Sequence, residues 1–276
     1  MNQTGFGKWR KMKKLEKIKD ILKELEKVVI AYSGGTDSTL LLKLAVDTPG
    51  KENVLAVTGV SLIYPEEERR LCEKITKDFG VRHIFIQTDE LKNKKFIDNP
   101  PDRCFYCKKE LFSKLKDIAK KYGFKNIIDG TNKDDEKDFR PGEKAKKIFN
   151  VYSPLKEAGI GKEEIRRLSK KMNLPTWNKP KSVCLASRIP YGEKITEEKL
   201  KRIEEGEKFL KNLGFVNVRL RDYGKLARIE VEKEKIKRLF ENRRRVIRKL
   251  KSLGYTYITV DLEGFRSGSM NEVLLK

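Results

Sequence analysis

The feature that most constrains this chain is a β-branched apolar run that breaks at two glycines and restarts as a helix, "VVIAYSGGTDSTLLLKLAVD", Val28 to Asp47. A short buried strand that feeds directly into a helix belongs to a parallel sheet, where helices make the crossovers. Two successive glycines let the backbone turn tightly and approach a ligand. The following helix presents N–H groups without intrahelical acceptors, and Ser33, Thr36, Ser38 and Thr39 add hydroxyls, so the stretch reads as a phosphate site. It has neither the Gly-Lys-Ser/Thr ending of a Walker A loop nor the G-x-G-x-x-G of a dinucleotide fold. Asp37 repels phosphate unless a divalent cation stands between them, a place that Mg2+ fills with carboxylate and phosphate oxygens.

The rest of the chain repeats the alternation. An amphipathic helix over 12–27 carries Leu15, Ile18, Ile21, Leu22 and Leu25 at helical intervals. "VLAVTGVSL", "VRHIFIQTD" and "NIIDGTN" read as strands, "YPEEERRLCEKITKDFG" and "KKELFSKLKDIAKKYG" as helices. The expected class is therefore α/β, a mostly parallel sheet with helices on both faces. A polar loop is expected over 134–147, then a strand in "IFNVYSPL" and a helix in "GKEEIRRLSKKMNLP". The Pro/Lys-rich passage "PTWNKPKSVCLASRIPYGEK" reads as an active-site loop joining two domains. Beyond it the pattern changes to a helix over 196–213, paired strands in "VNVRLRDYGKLARIEV", a helix over 232–252 and a last strand "YTYITVDL". The expected domains are 1–188 and 189–276, the second a small α+β module.

Charge and cysteines narrow the chemistry. The 64 Lys and Arg against 41 Asp and Glu leave a formal +23, which suits an anionic partner: nucleic acid, nucleotide or phosphorylated metabolite. Much of that charge lies in Lys/Glu helices that also read as ordinary solvated surface. No charged leader is followed by an apolar segment, and no apolar run approaches membrane-spanning length, so a cytoplasmic protein without a membrane partner is expected. Cys104 and Cys107, in "DRCFYCKKELF", stand C-x-x-C at the start of a helix, where both sulfurs can reach one centre and helix N–H groups favour thiolates. Cys184, in "PKSVCLASRIPYG", is a third thiol, and three thiolates leave a coordination position that a four-ligand zinc site would close. Counting alone leaves zinc, a redox pair and an iron-sulfur cluster open. Cys72 reads as a partly buried helix residue and His83 as a structural residue of its strand. Arg219 and Arg221 lie two apart and share a strand face; an anion between them or ordinary ion pairs would each relieve their repulsion.

"SGGTDS" resembles the pyrophosphate-binding PP-loop of ATP pyrophosphatases such as NAD synthetase, GMP synthetase and tRNA thiolation enzymes. The resemblance implies that Ser33, Gly34, Gly35, Thr36, Asp37 and Ser38 hold ATP's pyrophosphate and its Mg2+. "DGTNKDD" is similar to a second nucleotide-side segment, which sets Gly130, Thr131 and Asn132 near adenosine and makes Asp134 or Asp135 a candidate for Mg2+; Lys162 is a candidate phosphate contact. "CLASRIPYGEKIT", with "PTWNKP", "VRLRDYGKLARIEV" and "DLEGFRSGSMNE", resembles the LarE family of ATP-dependent sulfurtransferases over nearly the whole chain.

That resemblance implies adenylation of the carboxylate of a pyridinium biscarboxylic acid mononucleotide, release of pyrophosphate and AMP, and thiolation on the way to a nickel-pincer cofactor. Asp37 and Cys184 would be catalytic. Some family members sacrifice the cysteine that matches Cys184; others hold a 4Fe-4S cluster on three cysteines, and Cys104, Cys107 and Cys184 match that second type. Arg188, Arg219, Arg221, Arg266 and Ser269 are the implied substrate residues, with Glu230 and Asp261 as candidates for a divalent cation or for orienting the substrate; Trp177 would stack on the substrate ring or support its loop. The implied partners are the small-molecule substrate, a sulfide source and further copies of the chain in a homo-oligomer. The nearest alternative is a PP-loop tRNA thiolation enzyme, which would use the positive charge on nucleic acid.

Overall fold

The computed structural model describes residues 3–137, 140–180 and 184–274, with side chains from Lys13 onward except that of Lys137. Asp138, Phe139 and Lys181–Val183, within the expected polar loop and the Pro/Lys-rich connection, lie outside these residues. The chain divides into two units, one of Met1–Ser61, Glu66–Thr88 and Asp102–Ser182, the other of Leu62–Pro65, Asp89–Pro101 and Val183–Lys276.

The first unit runs α1 (Gln3–Leu25), β1 (Val28–Ala31), α2 (Thr36–Asp47), β2 (Val54–Val60), α3 (Glu66–Asp78) and β3 (Arg82–Gln87). After α4 (Lys94–Ile97), which belongs to the second unit, come α5 (Arg103–Lys121), β4 (Asn126–Asp129), α6 (Gly142–Phe149), β5 (Val151–Tyr152), α7 (Pro154–Glu157) and α8 (Lys162–Lys171). The five strands form one parallel sheet in the order β3-β2-β1-β4-β5. A central parallel strand is covered on both faces, which is why Val28, Val29 and Ile30 are all fully buried. Val29, Leu55, Val57 and Ile127 face a layer made by Phe112, Leu115 and Ala119 of α5 with Ala145 of α6. The alternate residues Val28, Ile30 and Ala56 are buried toward the other face, where α2 packs beside α1 and α8. The expected α/β class, with helices on both faces, is the architecture found.

The second unit contains α9 (Glu197–Asn212), β6 (Arg219–Tyr223), β7 (Leu226–Glu230), α10 (Ile236–Glu241), α11 (Arg243–Ser252) and β8 (Tyr257–Val260). Its mixed sheet pairs β6 antiparallel and β8 parallel to β7. Leu210, Phe215, Val218, Leu220, Ile229 and Leu250 form its core. Asp222 is fully buried on β6 and accepts from Arg202 Nε at 2.5 Å and Nη2 at 2.7 Å, from the Tyr255 hydroxyl at 2.9 Å and from the Gly224 N–H at 3.0 Å. A buried carboxylate is tolerated only with such a complete set of donors.

Four local expectations need correction. The helix expected over 232–252 is interrupted between α10 and α11, where the Asn242 side chain donates to the Arg238 carbonyl at 2.9 Å and competes with the helical ladder. The loop expected over 134–147 contains most of α6, whose Ala145 is buried, so Ile148 and Phe149 finish a helix instead of opening a strand. Asn150, at φ +51°, ends that helix in the left-handed region and leaves β5 only two residues. Cys72, expected to be partly buried, is fully buried. Among the described residues no helix is long and apolar enough to cross a membrane.

Two stability predictions follow from these contacts. Asp222→Ala strips a fully buried carboxylate from half-buried Arg202 and buried Tyr255 and should cost about 3 kcal/mol in urea unfolding. His83 bridges the hydroxyls of Thr58 at 2.8 Å and Thr76 at 3.0 Å, and burial lowers its pKa from 6.5 to about 4. Because the folded state favours the neutral ring, this contribution is intact above pH 6.5 and is lost as pH falls from 6.5 through about 4. Unfolding measured across that interval should show a shallower pH dependence in His83→Gln than in the wild type.

Candidate active site

Strand order reverses beside β1, since β2 and β3 lie on one side of it and β4 and β5 on the other. Loops leaving neighbouring strands at such a point part to opposite faces and open a crevice at the carboxyl ends. The Ser33–Gly35 loop leaves β1 there, and the Gly130–Asn132 loop leaves β4, with Ala31 and Asp129 in register.

The first loop folds back on the helix that follows. Gly34 takes φ +64°, a left-handed conformation that suits glycine. The Ser38 hydroxyl donates to the Gly35 carbonyl at 3.2 Å and lies 3.1 Å from the Ser33 hydroxyl. The Thr36 hydroxyl donates to the Thr176 carbonyl at 2.8 Å, tying the start of α2 to the segment after α8. Asp37, in the first turn of α2, accepts from Asn132 Nδ2 at 2.9 Å. Burial raises the Asp37 pKa above the usual aspartate range; the Asn132 hydrogen bond opposes the shift, Asp135 adds to it, and Lys162 and Arg140 oppose it. The arrangement therefore holds a carboxylate for which a divalent cation would be the natural relief.

The second loop meets the first without room for a side chain. A Cβ on Gly130 would stand 2.9 Å from the Ser38 nitrogen. Asn132 is fully buried; its Oδ1 accepts from the Asp134 N–H at 3.0 Å, and its own N–H donates to Asp135 at 3.1 Å. The Thr131 hydroxyl donates to Asp129 at 2.8 Å and accepts from Lys146 Nζ at 3.0 Å. Lys146 also donates to Ser153 at 2.9 Å and pairs with Glu143 at 2.7 Å. Thr131 thus serves a buried network behind the crevice. Lys146, Asp129 and Ser153 were absent from the sequence expectations because a lysine in a polar stretch gives no sign of being buried. Asp135 carries Arg140 at 2.5 Å and Lys162 Nζ at 3.4 Å, and Asp134 accepts from the Lys162 N–H at 2.6 Å. Trp177 is 36% exposed, with Lys170 Nζ 4.8 Å from its ring centroid.

In the second unit, Cys184 precedes a 3₁₀ turn over Leu185–Arg188 that delivers Arg188 to a polar cluster. Arg188 forks onto Glu207 at 2.8 and 2.9 Å and donates to the Cys184 carbonyl at 3.2 Å. Arg221 forks onto Glu230 at 2.9 and 2.7 Å, and reaches the Ser187 carbonyl and the Ser269 hydroxyl, each at 3.0 Å. Arg219 lies over the Phe265 ring at 4.9 Å; burial, followed by the charge of Arg188, lowers its pKa to about 10. Arg188, Arg219, Arg221, Glu230 and Ser269 are therefore brought together. Glu207, which anchors Arg188, carried no distinguishing sequence signal within α9.

Arg266 pairs with Glu263 at 2.5 Å, Glu272 at 3.2 Å and Asp261 at 3.9 Å. Glu230 and Asp261, expected as candidates for a divalent cation, share Arg228 at 3.0 and 3.7 Å, so a guanidinium bridges them.

All four cysteines are described and none is disulfide-bonded. Cys104 and Cys107 occupy the first turns of α5, exposed and half-buried, on the same side of the helix by their spacing. Cys184 belongs to the other unit. Among the described residues no three His, Cys, Asp or Glu side chains converge as a metal-holding group.

A family model described as NAD synthase matches residues 12–99, which contain the Ser33–Ser38 loop. An uncharacterized protein of Synechocystis is 42% identical over 95% of this chain and 98% of its own length. An uncharacterized protein of Methanocaldococcus jannaschii is 34% identical over 93% and 98%. The pyridinium-3,5-bisthiocarboxylic acid mononucleotide synthase of Lactiplantibacillus plantarum is 40% identical over 92% of each chain. With the PP-loop at the reversal point of its sheet and similarity of that extent, the chain belongs to the family of that synthase, the LarE-like branch of the PP-loop ATP-utilizing enzymes.

Proposed function

We propose that this protein activates a carboxylate of a pyridinium biscarboxylic acid mononucleotide with ATP and replaces the activated oxygen with sulfur. The observation that carries this reading is the end-to-end similarity to a bisthiocarboxylic acid mononucleotide synthase, in a chain that keeps both the PP-loop crevice and an arginine cluster next to Cys184.

The residues suit each role. The N–H groups opening α2, with the Ser33 and Ser38 hydroxyls, would receive the oxygens of the departing pyrophosphate. Asp37 would hold Mg2+, which supplies charge neutralisation between the carboxylate and the phosphates. The substrate carboxylate attacks the α-phosphate and expels pyrophosphate; the mixed anhydride then carries AMP as the leaving group that a free carboxylate lacks. Arg188, Arg219 and Arg221 gather beside Glu207 and Glu230, and these guanidiniums would receive the mononucleotide phosphate. Ser269 would steady Arg221, and Trp177 would offer a ring face to the substrate. The protein is read as a soluble homo-oligomer of the cytoplasm.

The sulfur would come through Cys104, Cys107 and Cys184. Thiolates are the donors that iron-sulfur clusters use, and the first two share one helix face. A 4Fe-4S cluster on three such ligands supplies an open iron able to carry sulfide. The rival within the family is sacrifice of the Cys184 sulfur itself.

Two measurements test the proposal. Release of AMP and pyrophosphate from ATP should depend on the pyridinium mononucleotide and not on unmodified tRNA, and Asp37→Asn should slow it by roughly a hundredfold or more. Formation of ADP, or stimulation by tRNA alone, would remove the assignment. Protein reconstituted without oxygen should hold iron and sulfide, with comparable loss in Cys104→Ala, Cys107→Ala and Cys184→Ala; a fully loaded Cys184→Ala would strike that residue from the ligand set.

A further inference from the structure

Lys179 has no part in the function as proposed so far, yet its ammonium sits on the PP-loop. Its Nζ donates to the Gly34 carbonyl at 2.9 Å and forms an ion pair with Glu68, in the first turn of α3. Both side chains are largely buried, Lys179 at 15% exposure and Glu68 at 14%. The segment that carries Lys179 is fixed a second time where the Thr176 carbonyl accepts from Thr36, so the chain passes over the loop from Gly34 to the start of α2.

A loop of this composition lacks something that other phosphate loops contain. Walker-type loops place a lysine within the motif to reach the outer phosphates. Ser33 to Ser38 contains no basic residue and one aspartate. Arg140 and Lys162, on the same end of the sheet, are drawn to Asp135. Among the described residues Lys179 brings a cation onto the loop backbone itself, delivered from far along the chain.

We propose that Lys179 is a pyrophosphate-binding residue, held by Glu68 until the β and γ phosphates of ATP take the carboxylate's place. The exchange is one anion for another about a compact ammonium with three rotatable donors, and the Gly34 contact can persist through it. Glu68 then acts as the resting partner that keeps a largely buried lysine compensated when the loop holds no phosphate. The assignment rests on the PP-loop reading, and the test separates the two.

Binding of ATP, pyrophosphate and AMP, each with Mg2+, is measured by calorimetry on the wild type, Lys179→Met, Lys179→Arg and Glu68→Gln. Lys179→Met should weaken ATP and pyrophosphate by about tenfold or more while AMP binding is unchanged, because AMP lacks the outer phosphates. Lys179→Arg, which keeps the charge, should retain most pyrophosphate binding. Glu68→Gln should tighten pyrophosphate, since the ammonium no longer leaves a carboxylate to meet it. Equal losses for AMP and pyrophosphate in Lys179→Met, or weaker pyrophosphate binding in Glu68→Gln, would show a strap that merely shapes the loop and would overturn the proposal. Unchanged pyrophosphate binding in Lys179→Met overturns it as well and leaves the PP-loop reading standing. A wild type that binds neither ATP nor pyrophosphate removes both. Melting temperatures identify a Met variant that fails to fold, and the Arg and Gln variants then decide the matter.

Discussion

Gly130 and the Ser38 nitrogen approach so closely that a Cβ between them would stand at 2.9 Å, and the geometry of the nucleotide end of the sheet depends on that approach. It brings the loop after β4 against the loop after β1, which allows Asn132 to hold the Asp37 carboxylate from a separate strand. Parallel register makes this possible, because Ala31 and Asp129 lie side by side at the strand ends. Behind the contact, Asp129, Thr131, Lys146 and Ser153 satisfy one another in the interior, so the second loop is fixed from below as well as from the front. A buried polar network of this kind fixes a loop only when each member finds its partners.

The two units treat charge differently. At the PP-loop the positive potential comes from backbone N–H groups at the opening of α2, while the acidic residues Asp37 and Asp135 compete for the few cations available. In the second unit the cations are guanidiniums buried in the protein, and carboxylates of the same unit hold them as forks. Forked pairs fix the planes of Arg188 and Arg221 and so preset the direction from which an anion can be received. Arg219 carries the cost of that arrangement, with burial and a neighbouring guanidinium both acting against its charge.

The family relation and the local geometry support each other at different scales. Similarity covers nearly the full length of the synthase and its uncharacterized relatives, so both units take part in the relation. The NAD synthase model covers only 12–99, the part of the chain that contains the PP-loop. A loop shared across that wider group is a device for ATP, and the chemistry that follows depends on residues outside it.

The sequence by itself determined the alternation of strand and helix, the parallel sheet and the place of the phosphate loop. Those properties are local: periodicity, β-branching and a pair of glycines act within a few residues of where they stand. It also set Arg219 and Arg221 on one strand face by their spacing, while Arg188 entered only through the family resemblance. What it could not contain was who answers those charges. Glu207 and Glu230 are ordinary carboxylates until folding buries them against arginines. Lys146 and Lys179 are two lysines among many until tertiary contacts bring one beneath the Thr131 loop and the other onto the Gly34 carbonyl. The break at Asn242 and the helix ending at Phe149 were likewise decided by competition between side chain and backbone, or by burial of a single face. Local pattern fixes which segments form, whereas the partners of buried charges depend on distances across the folded chain.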